Sequence, residues 1–362
     1  MNRRIFLQLV SAACGSTLLA ADGKTRPVLL SFRDESGTWV PVKTVADWQR
    51  RRRQILAAAQ EIMGPLPGAE KRCPLDLQVL EEVDCGNYVR RAITYASEPG
   101  ARVPAYLLIP KRLLSEKGAQ AAAILCLHTT DNVVGRGVVV GLGSKAHRQY
   151  AAELAERGFV TLAPPYPLLA DYQPDIFALG YASGTMKAIW DNIRGLDLLE
   201  TLPFVKPSGF GAIGHSLGGH NSVYTAVFDE RIKAVVSSCG LDSYRDYYGG
   251  EAKRWVHGQG WCQDRYMPRL AKYAGRLDEL PFDFDELLAA IAPRRVFISA
   301  PLQDSNFQWQ SVDRVAAAAR EVFALYGAGD FPIVKHPESP HDFPDATREQ
   351  AYVFLSETLN AK

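Results

Sequence analysis

The sequence predicts an α/β fold, a mostly parallel central sheet with helices on both faces. After Pro110, short apolar segments (122–127, 159–163, 209–213, 232–238, 295–300 and 331–335) alternate with longer helical ones (146–157, 184–200, 216–228, 311–327 and 345–359). Strand, crossover helix and strand, repeated along a chain, build a parallel sheet covered on both sides. The chain has 362 residues, 47% hydrophobic and 22% charged. That composition suits a large core and excludes a disordered or fibrous chain.

The first 21 residues, MNRRIFLQLVSAACGSTLLAA, have the order of an export signal: two arginines, an uncharged and largely apolar run from Ile5, then small residues. Arg3-Arg4 before Ile5-Phe6-Leu7 is similar to the twin-arginine signals of bacterial proteins exported after folding. The mature chain is expected to begin near Asp22, in the periplasm or outside the cell. A signal anchor is the alternative, since the run approaches the length of a membrane span. Cys14 follows Ser11-Ala12-Ala13, without the leucine of a lipoprotein site, and is read as leaving with the signal.

Residues 22–120 read as an N-terminal helix and antiparallel strands packed on the sheet. From Val45 to Met63 the pattern is helical, and Arg50 to Arg53 would be spread around the helix, mostly on a solvated face. Leu75–Glu82, Tyr88–Ala96 and Val103–Ile109 read as a meander between turns such as Asp84-Cys85-Gly86-Asn87. The catalytic core is expected over 121–362. Its rhythm breaks at 240–290, which holds Tyr244, Tyr247, Tyr248, Trp255, Trp261 and Tyr266. We read this as a cap-like insert after a strand C-terminus, where such sheets place ligands, or else as an excursion that packs on the core.

Several functions are excluded early. Lys plus Arg total 41 against 40 Asp plus Glu, and this balance leaves no electrostatic footprint for nucleic acid. Six cysteines without C-x-x-C spacing make neither a disulfide scaffold nor a zinc site. Cys73 and Cys85 flank a strand and could pair; Cys126 and Cys239 read as buried thiols. No H-E-x-x-H appears, and the glycines at 135, 137, 141 and 143 form no phosphate-binding motif, so neither metal nor cofactor is expected.

The sharpest signal is Gly214-His215-Ser216-Leu217-Gly218-Gly219, between an apolar strand and a helix opening at Leu217. A nucleophile elbow needs small residues two before and two after its serine, because side chains there would strike neighbouring backbone. A serine hydroxyl needs a histidine base, itself oriented by a carboxylate. In such sheets the order is nucleophile, acid, histidine. His341, in the loop before the last helix, fits the base better than His336 at a strand end, and His220 within the elbow helix reads as structural. Asp304, in the loop after 295–300, fits the acid, with Asp242 and Glu338 as rivals. Leu217 N–H and a donor from Thr129 or Thr130 would bind the oxyanion, and His128 would order their loop. Tyr166, Tyr244, Trp261 and Tyr266 are the candidate pocket residues.

With Ser216, Asp304 and His341 in that order, residues 75–362 resemble the α/β-hydrolase superfamily. Leu154-Ala155-Glu156-Arg157-Gly158-Phe159, Gly214-His215-Ser216-Leu217-Gly218-Gly219-His220 and His341-Asp342-Phe343-Pro344 are similar to the exported dienelactone hydrolase and acetylxylan esterase-like branch. Dienelactone hydrolases proper use cysteine where this chain has Ser216, and glucuronoyl esterases place arginine where it has Leu217. The resemblance implies an exported serine hydrolase that cleaves small-molecule or carbohydrate esters through an acyl-enzyme. A small peptidase or amidase, or a non-catalytic binding protein on the same fold, are the alternatives.

Overall fold

The structure, a computed structural model, describes residues 27–360. The expected export signal and Cys14 lie outside them. A small hairpin, β1 (Ser31–Arg33) with β2 (Trp39–Pro41), precedes helix α1 (Val45–Met63). Thr44 and Asp47 close a capping box at the start of α1, each side chain accepting the other's backbone N–H. The four arginines of α1 do not share a solvated face. Arg51 turns inward onto the buried carboxylate of Glu286, and Arg52 bonds the carbonyls of Ala290 and Val227. Four successive positions spread over about 300° of the helix circumference, so at least one must face the core.

One nine-stranded sheet follows. Strands β3 (Gln78–Asp84), β4 (Tyr88–Glu98) and β5 (Ala101–Pro110) form the meander, and helix α2 (Lys111–Ser115) leads away from it. The core supplies β6 (Ala121–Leu127), α3 (Tyr150–Glu156), β7 (Val160–Ala163), α4 (Gly184–Thr201), β8 (Val205–His215), α5 (Leu217–Phe228) and β9 (Ile232–Ser238). Then come α6 (Phe284–Ala289), β10 (Arg295–Ser299), α7 (Trp309–Leu325), β11 (Ile333–Lys335) and α8 (Asp345–Leu359). The sheet order is β11-β10-β9-β8-β6-β7-β5-β4-β3. From β7 to β11 every pairing is parallel, whereas β5 joins β7 antiparallel, with Leu107 opposite Leu162. The meander therefore extends the sheet in its own plane instead of packing on a face, because β7 would otherwise be an open edge.

Period-two alternation divides the core. Ala121, Ala123, Leu125 and Leu127 of β6 face the layer holding α1, α4, α5, α6 and α7, while Ala122, Ile124 and Cys126 face α3 and α8. The first layer also buries charge, since Lys187 and Asp191 of α4 pair at 2.5 Å without solvent exposure and Glu98 lies 3.0 Å from the same ammonium. The 240–290 stretch contains short 3₁₀ turns and α6. Its aromatic rings pack mainly on one another and on α5: Tyr244 lies 4.9 Å from Phe284 and 5.5 Å from Trp261, and Tyr224 is stacked 5.7 Å from Phe284. Cys73 and Cys85 are free thiols. Among the described residues, no helix is long and apolar enough to cross a membrane.

Candidate active site

The parallel strands all end at one edge, and the loops leaving β6, β8, β10 and β11 meet there. Ser216 occupies the turn from β8 to α5 with φ 54° and ψ −117°, a conformation that side chains other than glycine rarely adopt. The two flanking glycines are obligatory. A Cβ on Gly214 would come within 2.2 Å of the Gly218 backbone, and one on Gly218 within 1.9 Å of the Leu127 carbonyl oxygen. Ser216 N–H donates to Ser238 O at 2.8 Å, tying the turn to β9.

His341 Nδ1 lies 2.9 Å from both carboxylate oxygens of Asp304. The Asp304 side chain is 1% exposed, and it also accepts the backbone N–H groups of Asn306 and Phe307. A carboxylate so placed holds Nδ1 as the donor and leaves Nε2 as the acceptor nitrogen. Behind the histidine, Arg148 bonds Asp342 at 2.6 Å and reaches the His341 carbonyl at 3.5 Å. Burial acts to raise the Asp342 carboxyl, but Arg148 and His147 outweigh it and hold the group below its usual range.

The rivals occupy other roles. His336 is locked between Asp313 and the Ala300 carbonyl, and Glu338 is exposed. Asp242 is buried and accepts Gln308 N–H at 3.1 Å; burial pushes its carboxyl up to about 8, with Asp246, Asp283 and Asp304 adding to the rise.

The loop after β6 is set by His128, which lies 2.7 Å from the Thr129 carbonyl through Nδ1 and accepts Tyr166 N–H at 2.9 Å through Nε2. Burial pushes its ring down to about 4, so the imidazole stays neutral. Thr129 is buried, whereas Thr130 reaches the cleft wall with its hydroxyl 3.4 Å from Tyr266 Oη. At the other side of Ser216, Leu217 opens α5, so its N–H has no intrahelical acceptor.

Around Ser216 lies a small, open cleft of about 120 Å³. Trp261 and Tyr266 line it, as do Tyr247, Gln263, Asn306 and Phe307, which sequence reasoning did not assign. Two expected pocket residues are not on its wall. Tyr166 sits behind Tyr266 and bonds Thr185 Oγ1 at 3.0 Å, and Tyr244 is fully buried with its hydroxyl 2.8 Å from Tyr224 Oη. Both rings are used in packing. His220, expected to be structural, faces the cleft from one turn into α5, its ring 4.7 Å from Trp261. Nδ1 lies 3.3 Å from the Gly240 carbonyl, burial pushes the ring down to about 3, and Nε2 is buried without a hydrogen-bond partner. Trp261 Nε1 is equally unpartnered.

The fold has close counterparts among solved structures. A glucuronoyl esterase from Solibacter usitatus superposes with a TM-score of 0.73, covering 92% of this chain and 98% of that one at 21% identity. The chain has the α/β-hydrolase fold. Residues 175–327, which carry the Ser216 turn and the Asp304 loop, match the family described as glucuronyl esterase, fungi. The chain is also 25% identical over 319 residues to a putative hydrolase, YtaP, of Bacillus subtilis (strain 168), covering 85% of this chain and 99% of the relative. A 4-O-methyl-glucuronoyl methylesterase of Hypocrea jecorina is 25% identical over 174 residues, 43% of this chain and 36% of that protein.

Proposed function

We propose that this α/β-hydrolase is an exported esterase acting on carbohydrate esters, with Ser216, His341 and Asp304 as its catalytic triad. Ser216 Oγ attacks the ester carbonyl as His341 Nε2 takes its proton, and Asp304 orients and stabilises the imidazolium. The developing oxyanion accepts Leu217 N–H and a donor from Thr129 or Thr130. His341 returns the proton to the leaving alcohol, and water repeats the sequence to free the acid.

One observation carries the carbohydrate reading: two buried polar atoms without partners, the acceptor His220 Nε2 and the donor Trp261 Nε1, belong to residues of the wall beside Ser216. A hydroxyl admitted by a shift of these side chains can donate to one and accept from the other, which an acyl chain cannot do, and buried polar groups are costly until paired. We assign the sugar to the acyl side, as an ester of a sugar acid such as a methyl glucuronate. Leu217 favours a second reading, an acetylated sugar, because the glucuronoyl-esterase arginine is missing and none of the described residues lining the cleft carries a charge.

The test is fluorophosphonate labelling followed by kcat/KM for a methyl glucuronate ester, an acetylated glycoside and the matched amide. Labelling at Ser216 with sugar-ester turnover supports the assignment, and preference for the amide would make the protein a peptidase or amidase. Ser216→Ala should lose labelling and about 10⁴–10⁶ in kcat, and near-wild-type turnover in that variant overturns the triad.

A further inference from the structure

Behind the proposed triad acid lies a thiol with no part in ester hydrolysis. Cys239 directly follows Ser238, the last residue of β9, with φ at 47° and its N–H donated to Ser299 O at 2.8 Å. The side chain is buried, with Sγ 3.2 Å from the Asp342 carbonyl oxygen. A sulfur of Cys239, a carboxylate oxygen of Asp304 and a ring nitrogen of His341 all lie within 4.8 Å of one another.

We propose that Cys239, Asp304 and His341 form a binding site for a thiophilic divalent cation of the zinc class, and that the bound cation switches the enzyme off. One thiolate, one imidazole and one carboxylate are the three ligand types that zinc accepts, at bond lengths of about 2.0–2.3 Å that put neighbouring ligand atoms roughly 3.5 Å apart. The widest separation, at most 4.8 Å, needs to close by about 1.3 Å to reach that spacing. Charge also balances: binding Zn²⁺ releases the thiol proton to solvent, and the resulting thiolate with the Asp304 carboxylate neutralises the ion, leaving no net charge in a buried place. The His341 side chain is 27% exposed, which gives an ion a route in from solvent. Once coordinated, Asp304 and His341 lose the hydrogen bond that orients the ring toward Ser216, a consequence that rests on the triad reading. The coordination itself does not.

Two readouts separate these parts. Titration of the full chain with Co²⁺ should produce a thiolate-to-cobalt charge-transfer band, whether or not the protein hydrolyses esters, and Zn²⁺ should compete it away. Zn²⁺ should inhibit p-nitrophenyl acetate hydrolysis reversibly with chelator. In Cys239→Ala the band disappears and the inhibiting Zn²⁺ concentration rises about a hundred-fold, with Cys239→Ser as the second variant should the alanine protein not fold. A Cys73→Ser/Cys85→Ser double variant keeps both effects. A band that survives in Cys239→Ala, or its absence from the wild type, overturns the site; a band without loss of activity on Zn²⁺ binding retains the site and overturns the switch.

Discussion

The His341 ring meets the His215 ring edge-on, with centroids 4.9 Å apart and planes inclined at 61°. In the proposed triad only His341 carries a proton. His215 is buried, with Nδ1 3.1 Å from Ser238 Oγ, and burial first, then Arg148, His341 and Lys145, hold it well below the usual histidine range. It remains a neutral wall beside Ser216 in the proposed mechanism, so His215 itself adds no positive charge against proton uptake by His341. Asp304 stands at the opposite nitrogen and supplies the counter-charge.

Asp304→Asn should therefore lower kcat about 10⁴-fold, because an amide neither fixes the tautomer nor stabilises the imidazolium. Glu338→Gln, an exposed change beside the same histidine, should leave kcat within about two-fold, as surface substitutions usually act weakly. The pair is read by steady-state kinetics on p-nitrophenyl acetate. Equal losses in both variants would remove Asp304 from the triad.

Asp242→Asn should stabilise the protein in a pH-dependent way. The carboxyl titrates near 3.8 in the unfolded chain and near 8 when folded. Between those values the folded state keeps a proton that the unfolded state releases, so wild-type stability falls as pH rises, by up to about 1.4 kcal/mol per pH unit. Asparagine resembles the protonated form and can still accept Gln308 N–H. The stability difference between variant and wild type should be small near pH 4, grow toward pH 8 and level off above it. Denaturant titrations at four pH values check this, and a difference constant across pH contradicts it.

How much could be read from the chain depends on whether the signal is local. The proposed triad residues Ser216, Asp304 and His341 could be placed together because strand ends and chain order put their loops at one edge, and the His341–Asp304 bond follows from that placement. The aromatic residues were harder. The 240–290 stretch has no repeating period, so nothing in sequence separates Trp261, on the cleft wall, from Tyr244, buried behind it. His220 did carry a signal: four residues after Ser216, it shares a helix face with the elbow. The inward turn of Arg51 onto Glu286 spans 235 residues of sequence and could be seen only in three dimensions.

Gly218→Ala should abolish activity through the fold of the elbow. The added methyl would lie 1.9 Å from the Leu127 carbonyl oxygen, a backbone atom that cannot move aside without shifting β6. A loss of about 3 kcal/mol or more is expected, at the upper end for overpacking. Thermal unfolding measures it; a variant as stable as wild type would show that α5 can slide.

Short acyl groups should be cleaved faster than long ones. Thr130, Gln263, Asn306 and Tyr266 put polar atoms around the cleft, and seating an alkyl chain there strips them of water without return. In a p-nitrophenyl ester series, kcat/KM is expected to fall from acetate to octanoate. A steady rise through dodecanoate would instead reveal an apolar tunnel.

Trp261→Phe separates the indole N–H from the ring that bears it. The tryptophan is 4% exposed, and its ring packs against His220, Tyr244 and Tyr266, contacts that phenylalanine largely keeps. What the substitution removes is Nε1–H, the buried donor without a partner. A sugar hydroxyl bound there contributes about 1 kcal/mol as a neutral hydrogen bond, so KM for a methyl glucuronate ester should rise about five-fold. An ester with no hydroxyl, such as p-nitrophenyl acetate, should show no such change, and kcat for both should stay close to wild type because the reacting atoms are untouched. His220→Leu should show the same selectivity, since it deletes the matching acceptor. Equal KM increases for both esters would mean that Trp261 shapes the cleft by bulk alone, and that its N–H reads nothing.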